Sequence, residues 1–338
     1  MQFKRWRVIA GPGLVNAGLA ASVFFLASCG SDAPAPTDAP QPAPQTDNAA
    51  TDNGIVLPAV WSTNDLGSPI RDIALSGGDR SILAVAYEGR GFQLFNLEGE
   101  KLGDRIGFGV EHLASGISTS IDEAAVTLFP GVNRDGALTA YIYGDNLLAP
   151  VEIALPIDTD GEVAGLCSGS VGADPTSVLN IGFWTQGAET TLVTGTISTE
   201  GGAFKWTPNG TTMVSSPLAA CRLPEGDASA EPVFGDQAGV ASMVRPAGRF
   251  VLTLTDDGRL LAARPREAPE AVTLREGLSV RVPIPPVAID ALGTPRDGGY
   301  PFGMVALAGS TAPGVHQVVF VDTEPLVSPE PAPVVPEE

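Results

Sequence analysis

Residues 54 to 323 consist of short apolar stretches that alternate with turn signals, and this pattern constrains the fold more than any other feature. In Phe92-Gln93-Leu94-Phe95-Asn96-Leu97 apolar and polar residues alternate, which is the period of a half-buried strand. Glycine-rich turns such as Gly77-Gly78-Asp79 separate the stretches. No segment has a sustained helical period, and 40 glycines and 30 prolines are typical of strands joined by tight turns. We therefore predict an all-β fold.

The predicted strands fall into groups that begin about forty residues apart, which is the repeat of a propeller blade. Over roughly 270 residues, blades of about 40–50 residues each predict a β-propeller with six blades. A pair of β-sandwiches is the alternative fold. The predicted strands are Ile70–Leu75, Ser81–Tyr87, Gly91–Leu97, Ala124–Phe129, Ala137–Tyr143, Val178–Phe183, Thr191–Ile197, Ala203–Trp206, Gly239–Val244, Arg249–Thr255, Leu260–Arg264, Phe302–Ala308 and Val315–Asp322.

The N-terminal segment has the features of an export signal. Three cations precede the apolar stretch Val8–Phe25, which is short for a membrane span. Leu26-Ala27-Ser28-Cys29 then resembles the bacterial lipobox, whose cysteine is lipidated and becomes the first mature residue. We predict a signal peptide at 1–28 and a lipid anchor at Cys29, with an uncleaved membrane anchor as the alternative. Because Gly30-Ser31 lacks an aspartate retention signal, we expect the outer membrane of the cell envelope.

Two proline-rich segments flank the predicted domain. Residues 29–53 and 324–338 contain many prolines among alanine, acidic and polar residues. Such segments bury too little apolar surface to offset the entropy of ordering. We predict a disordered tether at 29–53, a folded domain at 54–323 and a disordered tail at 324–338.

Charge and reactive residues exclude several classes of function. The chain has 39 acidic residues and 19 lysines and arginines, three of which lie in residues 1–28, so the mature chain has 16 cations and a formal net charge of −23. This charge opposes nucleic acid as a general partner. His112 and His316, the only histidines, lie near no nucleophile motif, which disfavours histidine-activated catalysis. Cys167 and Cys221 either pair in an oxidising compartment or remain buried thiols.

Four stretches between Ile70 and Val244 resemble, in order, those of the β-propeller phytases. Arg90–Leu102 resembles the hairpin of the family's first blade, and Val132-Asn133-Arg134-Asp135 resembles its Ser-Asn-Arg loop. Glu162–Cys167 resembles its Tyr-Gly-Leu/Phe-Cys strand. Ala220-Cys221 with Val233-Phe234-Gly235-Asp236 resembles its Glu-Gly-Cys strand and acidic loop. The resemblance implies a propeller fold.

The resemblance also implies calcium-dependent hydrolysis of inositol phosphates such as phytate. Calcium takes six to eight oxygen ligands, and clustered divalent ions neutralise phosphate charge and activate water. The matching positions imply that Asn133 and Arg134 bind phosphate and that Asp236 is a calcium ligand. Arg134 also fits an exposed turn between strands, and Asp236 a solvated one.

Several positions depart from the family pattern at the groups that carry its chemistry. Gly67-Ser68-Pro69 stands where the family has Asp-Asp-Pro, Ala164 replaces a tyrosine, and Ala219 replaces a glutamate. These losses favour a lipid-anchored propeller that has lost catalysis and binds or scaffolds an envelope protein or a small phosphate ester. The alternative is a calcium-dependent phosphatase with rearranged ligands; the candidate ligands are Asp145, Asp236, Asp256 and Asp257.

Overall fold

The computed structural model describes residues 54–78, 80–121, 123–169, 176–185, 190–214, 220–223, 233–235, 239–245, 248–264, 267–293 and 300–327. These residues form 22 strands and one short helix. The predicted signal peptide, the tether with Cys29, and Asp236 lie outside the described residues. Within the described part, no helix has the length and apolar character needed to cross a membrane.

The N-terminal half of the domain contains two antiparallel groups of strands after a first, separate strand. The separate strand is β1 (Ile55–Ser62). The first group comprises β2 (Ile70–Gly78), β3 (Ile82–Tyr87) and β4 (Phe92–Asn96). The second group comprises β5 (Val110–Leu113), β6 (Gly116–Ile121), β7 (Ala124–Asn133), β8 (Leu138–Gly144) and β9 (Val151–Ala154). β5 pairs with β7, and β6 to β9 follow one another in the sheet.

Three further groups and one pair of strands follow along the chain. The third group is β10 (Val163–Gly169), β11 (Ser177–Thr185), β12 (Thr190–Glu200) and β13 (Ala203–Val214). The pair is β14 (Ala220–Arg222) with β15 (Val233–Gly235). The fourth group is β16 (Gly239–Arg245), β17 (Gly248–Leu254), β18 (Leu260–Ala263) and β19 (Glu270–Arg275). The fifth is β20 (Pro286–Leu292), β21 (Met304–Ala312) and β22 (Val315–Val321), and α1 (Glu324–Val327) follows.

Contacts between successive groups close a ring, which makes the domain a β-propeller. β2 pairs in parallel with β6, and β10 lies against β5 and β7 of the second group. β14 contacts both β10 and β16, and β20 contacts both β16 and β2. β1 pairs antiparallel with β22 and so completes the last group with a strand from the N-terminal end. This closure excludes the sandwich alternative. The described residues contain five groups and one two-stranded pair, and six blades remain a prediction.

The hydrophobic core lies between the faces of neighbouring groups. β3 is buried along its whole length because successive side chains point to opposite faces and both faces are covered. Leu83 and Val85 belong to one core cluster with Phe320 of the fifth group, whereas Ala84 belongs to another with Phe129 of the second. Each group therefore needs its neighbours to bury its second face.

The ordered domain extends four residues beyond the predicted boundary. Glu324–Val327, assigned from sequence to the disordered tail, form one helical turn. Asp322 Oδ1 accepts a hydrogen bond of 2.9 Å from the Glu324 N–H at the start of this turn. Leu326 is fully buried in a cluster with Leu57 and Leu260. Burial of this one large apolar side chain overrides the polar, proline-rich composition around it.

Candidate functional site

The inner strands of the propeller surround a cavity of about 80 Å³, which we call the axial cavity. Its walls come from β2, β5, β10, β11, β14, β16 and β20, so every group of the ring contributes to it. A concave site with a few converging polar groups is the usual form of a small-molecule site. The polar side chains are Asp72, His112, Ser115, Ser168 and Asp290, and the apolar ones include Ile73, Leu113, Leu166, Trp184, Val240 and Ile289.

Asp290 is a buried carboxylate that joins three parts of the ring. It lies on β20 and is 4% exposed. Its oxygens accept hydrogen bonds from the Leu75 N–H at 2.7 Å, from the Ala291 N–H at 2.8 Å and from the Ser115 hydroxyl at 2.7 Å. Bonds of this kind offset the large cost of burying a charge. Asp290 therefore both holds β20 against β2 and places negative charge at the cavity.

Asp72 is the second carboxylate of the cavity and is partly accessible to solvent. It accepts a hydrogen bond of 2.8 Å from the Leu113 N–H and another of 2.8 Å from the Ile73 N–H. Burial raises the pKa of Asp72 to about 7. The two backbone N–H groups oppose this rise. The nearby Asp290 adds to the rise, and Arg71 opposes it. Asp72 thus titrates near neutral pH, where a carboxyl group can either hold a proton or attract a cation.

His112 lies on β5 at the same cavity. Burial lowers the pKa of His112, an effect that Glu111 opposes and Arg71 reinforces. A lower pKa favours the neutral imidazole, which has one donor and one acceptor nitrogen. The charge at the cavity wall is consequently supplied by the two aspartates.

Two serines and a disulfide connect β10, β14 and the loop before β6 at the cavity. Ser168 Oγ donates to the Ser115 carbonyl oxygen at 2.5 Å and so ties β10 to the loop before β6. Cys167, beside Ser168, is bonded to Cys221, with 5.4 Å between the Cα atoms. The structure therefore decides between the two alternatives that the sequence left open, and the disulfide holds β14 against β10.

The residues predicted to bind phosphate are engaged within the protein. Arg134 Nε lies 3.4 Å from Glu111 Oε1, and Arg71 Nη1 lies 3.0 Å from Glu111 Oε2. The Asn133 side chain closes its own turn by accepting the N–H groups of Asp135 at 3.1 Å and Ala137 at 3.0 Å. We call Arg71, Glu111 and Arg134 the charged triad; each of its side chains is about one-third exposed.

The alternative calcium ligands do not converge in the part of the chain that the structure describes. Asp145 forms a two-pronged ion pair with Arg80, whose guanidinium lowers the pKa of Asp145. Asp257 accepts a bond of 2.8 Å from Arg259 Nε in a turn, and Asp256 is an exposed neighbour. Among the described residues, no group of three or more His, Cys, Asp or Glu side chains is placed to hold a metal ion.

Sequence reasoning did not single out Asp72, Ser115, Ser168 or Asp290. A signal existed for Asp290, because an aspartate within the apolar stretch Pro286–Leu292 interrupts a strand that is otherwise buried. For Asp72 and the two serines the local sequence has no such signal.

No family model matches the sequence, and a search of curated proteins finds no match. Among solved structures, the GH43_1 enzyme from Xanthomonas citri aligns with a TM-score of 0.43 and 9% identity over 78% of this chain and 89% of that one. AofleA from Arthrobotrys oligospora aligns with a TM-score of 0.36 and 12% identity over 72% and 67%. The Aleuria aurantia lectin AAL aligns with a TM-score of 0.34 and 10% identity over 74% of each chain.

Proposed function

We propose that this protein is a lipid-anchored β-propeller of the cell envelope that binds a ligand or partner and does not hydrolyse phosphate esters. The export and the anchor follow from the lipobox-like segment and Cys29. The binding role follows from the propeller, whose axial cavity brings residues of every group together.

The charged triad is the observation that carries the proposal. A phosphate approaching Arg134 must compete with Glu111, which is already held by two arginines. The three side chains together carry one net positive charge, whereas a phosphate clamp needs unpaired cations. A carboxylate at the centre of the triad thus occupies the place that a phosphate would take.

The axial cavity is also unsuited to phosphate. When they are ionised, its two aspartates repel an anion, and at about 4 Å such repulsion amounts to about 4 kcal/mol per pair of charges near a protein surface. A phosphatase overcomes this repulsion with several bound cations. Calcium remains a prediction from the family resemblance alone.

Removal of Glu111 tests the proposal, because it frees the two arginines. We would measure binding of phytate by isothermal titration calorimetry to the full-length chain in detergent, to Glu111→Gln and to Glu111→Gln/Arg134→Ala. We expect weak binding by the wild type, at least tenfold tighter binding by Glu111→Gln, and loss of that gain in the double variant. Tight binding by the wild type that Arg134→Ala abolishes would show that Glu111 does not keep phosphate from Arg134, and so would contradict the argument from the charged triad.

The anchor is tested separately. In cells producing the full chain, we expect Cys29→Ser to lose labelling by a radioactive fatty acid and to leave the membrane fraction, whereas Cys221→Ser keeps its lipid. Equal labelling of the wild type and Cys29→Ser would exclude the anchor.

A further inference from the structure

We infer that the axial cavity is a binding site for a small organic cation, whose positive group lies at Asp72 and Asp290 and whose hydrocarbon part lies against the apolar wall. Cation binding at this cavity deepens the proposed binding function and rests on it. The chemical class of the ligand follows from three properties of the wall.

The first property is its charge. Two aspartates line the cavity, and none of the described lining residues is a lysine or an arginine. The one cation on β2, Arg71, pairs with Glu111 at 3.0 Å and does not line the cavity. His112 carries no opposing charge in its neutral form, which burial favours. A negative, poorly solvated pocket attracts a positive group strongly because water screens it little.

The second property is hydrogen-bonding capacity. An ionised carboxylate has about four acceptor positions. Asp72 uses two of them, for the Leu113 and Ile73 N–H groups. Acceptor positions remain for an ammonium group. Asp72 titrates at about 7, so a bound cation favours its ionised form.

The third property is the apolar part of the wall. Trp184, Leu113, Val240 and Ile289 line the same cavity as the carboxylates. A bare calcium ion prefers six to eight oxygen ligands and gains nothing from these side chains. An alkylammonium or quaternary ammonium group buries its methyl groups against them, and an indole ring attracts such cations. The mixed wall therefore favours an organic cation over a metal ion.

The size of the cavity limits the ligand to a few heavy atoms. A volume of about 80 Å³ exceeds the roughly 10–15 Å³ that one water needs on the same measure. Methylammonium and the trimethylammonium head of choline are suitable probes. Methanol and 3,3-dimethylbutan-1-ol are their neutral counterparts in shape.

Two comparisons at constant ionic strength test the inference. In the first, the four probes are titrated into the full-length wild-type chain at pH 8, with binding followed by calorimetry and tryptophan fluorescence. In the second, the cations are titrated into Asp72→Asn and into Asp135→Asn, a matched change at an exposed turn. The wild-type comparison needs no variant, so it stands even if Asp72→Asn folds poorly.

We expect at least one cation to bind the wild type at least tenfold more tightly than its neutral counterpart does. Asp72→Asn should bind that cation about tenfold or more weakly than the wild type, and Asp135→Asn should bind it with unchanged affinity. The affinity should fall as the pH is lowered from 8 to 6, because Asp72 gains a proton. Equal affinity for cations and neutral probes, or no binding up to 10 mM, would overturn the inference. Phosphate release from phytate by the same preparation would overturn the proposed function instead, so the two failures are distinguishable.

Discussion

Replacement of Asp72 by asparagine should remove one component of the pH dependence of stability. The Asp72 pKa is about 7 in the folded protein, against 3.8 for an unperturbed aspartate. The folded state therefore keeps a proton between pH 4 and pH 7 that the unfolded state has lost. Because the unfolded state binds fewer protons in this window, the free energy of unfolding of the wild type falls as the pH rises through it.

The size of this effect follows from the shift of the pKa. The difference between a pKa of about 7 and one of 3.8, at about 1.36 kcal/mol for each pH unit, amounts to about 4 kcal/mol between pH 4 and pH 8. Partial solvent accessibility of Asp72 makes this an upper value. Asparagine resembles the protonated acid, since it retains one carbonyl acceptor and never ionises. As the pH rises from 4 to 8, the free energy of unfolding of Asp72→Asn should therefore increase relative to that of the wild type by up to this amount.

Urea unfolding at pH 4, 6 and 8, followed by tryptophan fluorescence, measures this difference. Other carboxyl groups, such as Asp145 with its lowered pKa, act in the opposite direction but are common to both proteins. The informative quantity is thus the difference between the two curves, with Asp135→Asn as the control. Parallel curves for the wild type and Asp72→Asn would refute the raised pKa of Asp72.

Three further predictions concern other contacts. Replacing both Cys167 and Cys221 by serine should lower the free energy of unfolding by about 4 kcal/mol, because the disulfide spans 54 residues. Urea unfolding measures this loss, and the wild type treated with a reductant should show the same loss. An unchanged urea midpoint would contradict the prediction. Leu326→Ala should lower the free energy of unfolding by about 2–5 kcal/mol, whereas deletion of 328–338 should lower it by under about 0.5 kcal/mol. Equal losses for the two changes would show that Leu326 does not anchor the helix. Arg134→Ala should change stability by less than about 1 kcal/mol because its ion pair is partly exposed, and a larger loss in thermal unfolding would indicate a structural role.

Strand positions in the middle of the groups were predictable because they depend on local pattern. Ile82–Tyr87 is a short apolar run, and both its faces are buried in the propeller. β1 was not predicted, since Pro58 interrupts its pattern and its pairing with β22 depends on closure of the ring. β13 was predicted to end at Trp206 but continues through Pro208 to Val214. β13 tolerates the proline because, among the described residues, it is the edge strand of its sheet.

The candidate site depends on contacts that sequence spacing does not reveal. Asp290 accepts hydrogen bonds from Leu75 and Ser115, which lie 215 and 175 residues away in the chain. The pairing of Arg134 with Glu111 likewise requires β5 to lie beside β7. The sequence shows which residues can ionise or form hydrogen bonds. Their partners in hydrogen bonds and ion pairs depend on closure of the propeller, which brings distant parts of the chain together.

Phosphate release from phytate, measured on the full-length chain in detergent with and without calcium, tests the central claim most directly. A binding propeller whose triad arginines are held by Glu111 should release no phosphate above the buffer control, and calcium should make no difference. Calcium-dependent release that Arg134→Ala abolishes would contradict the account.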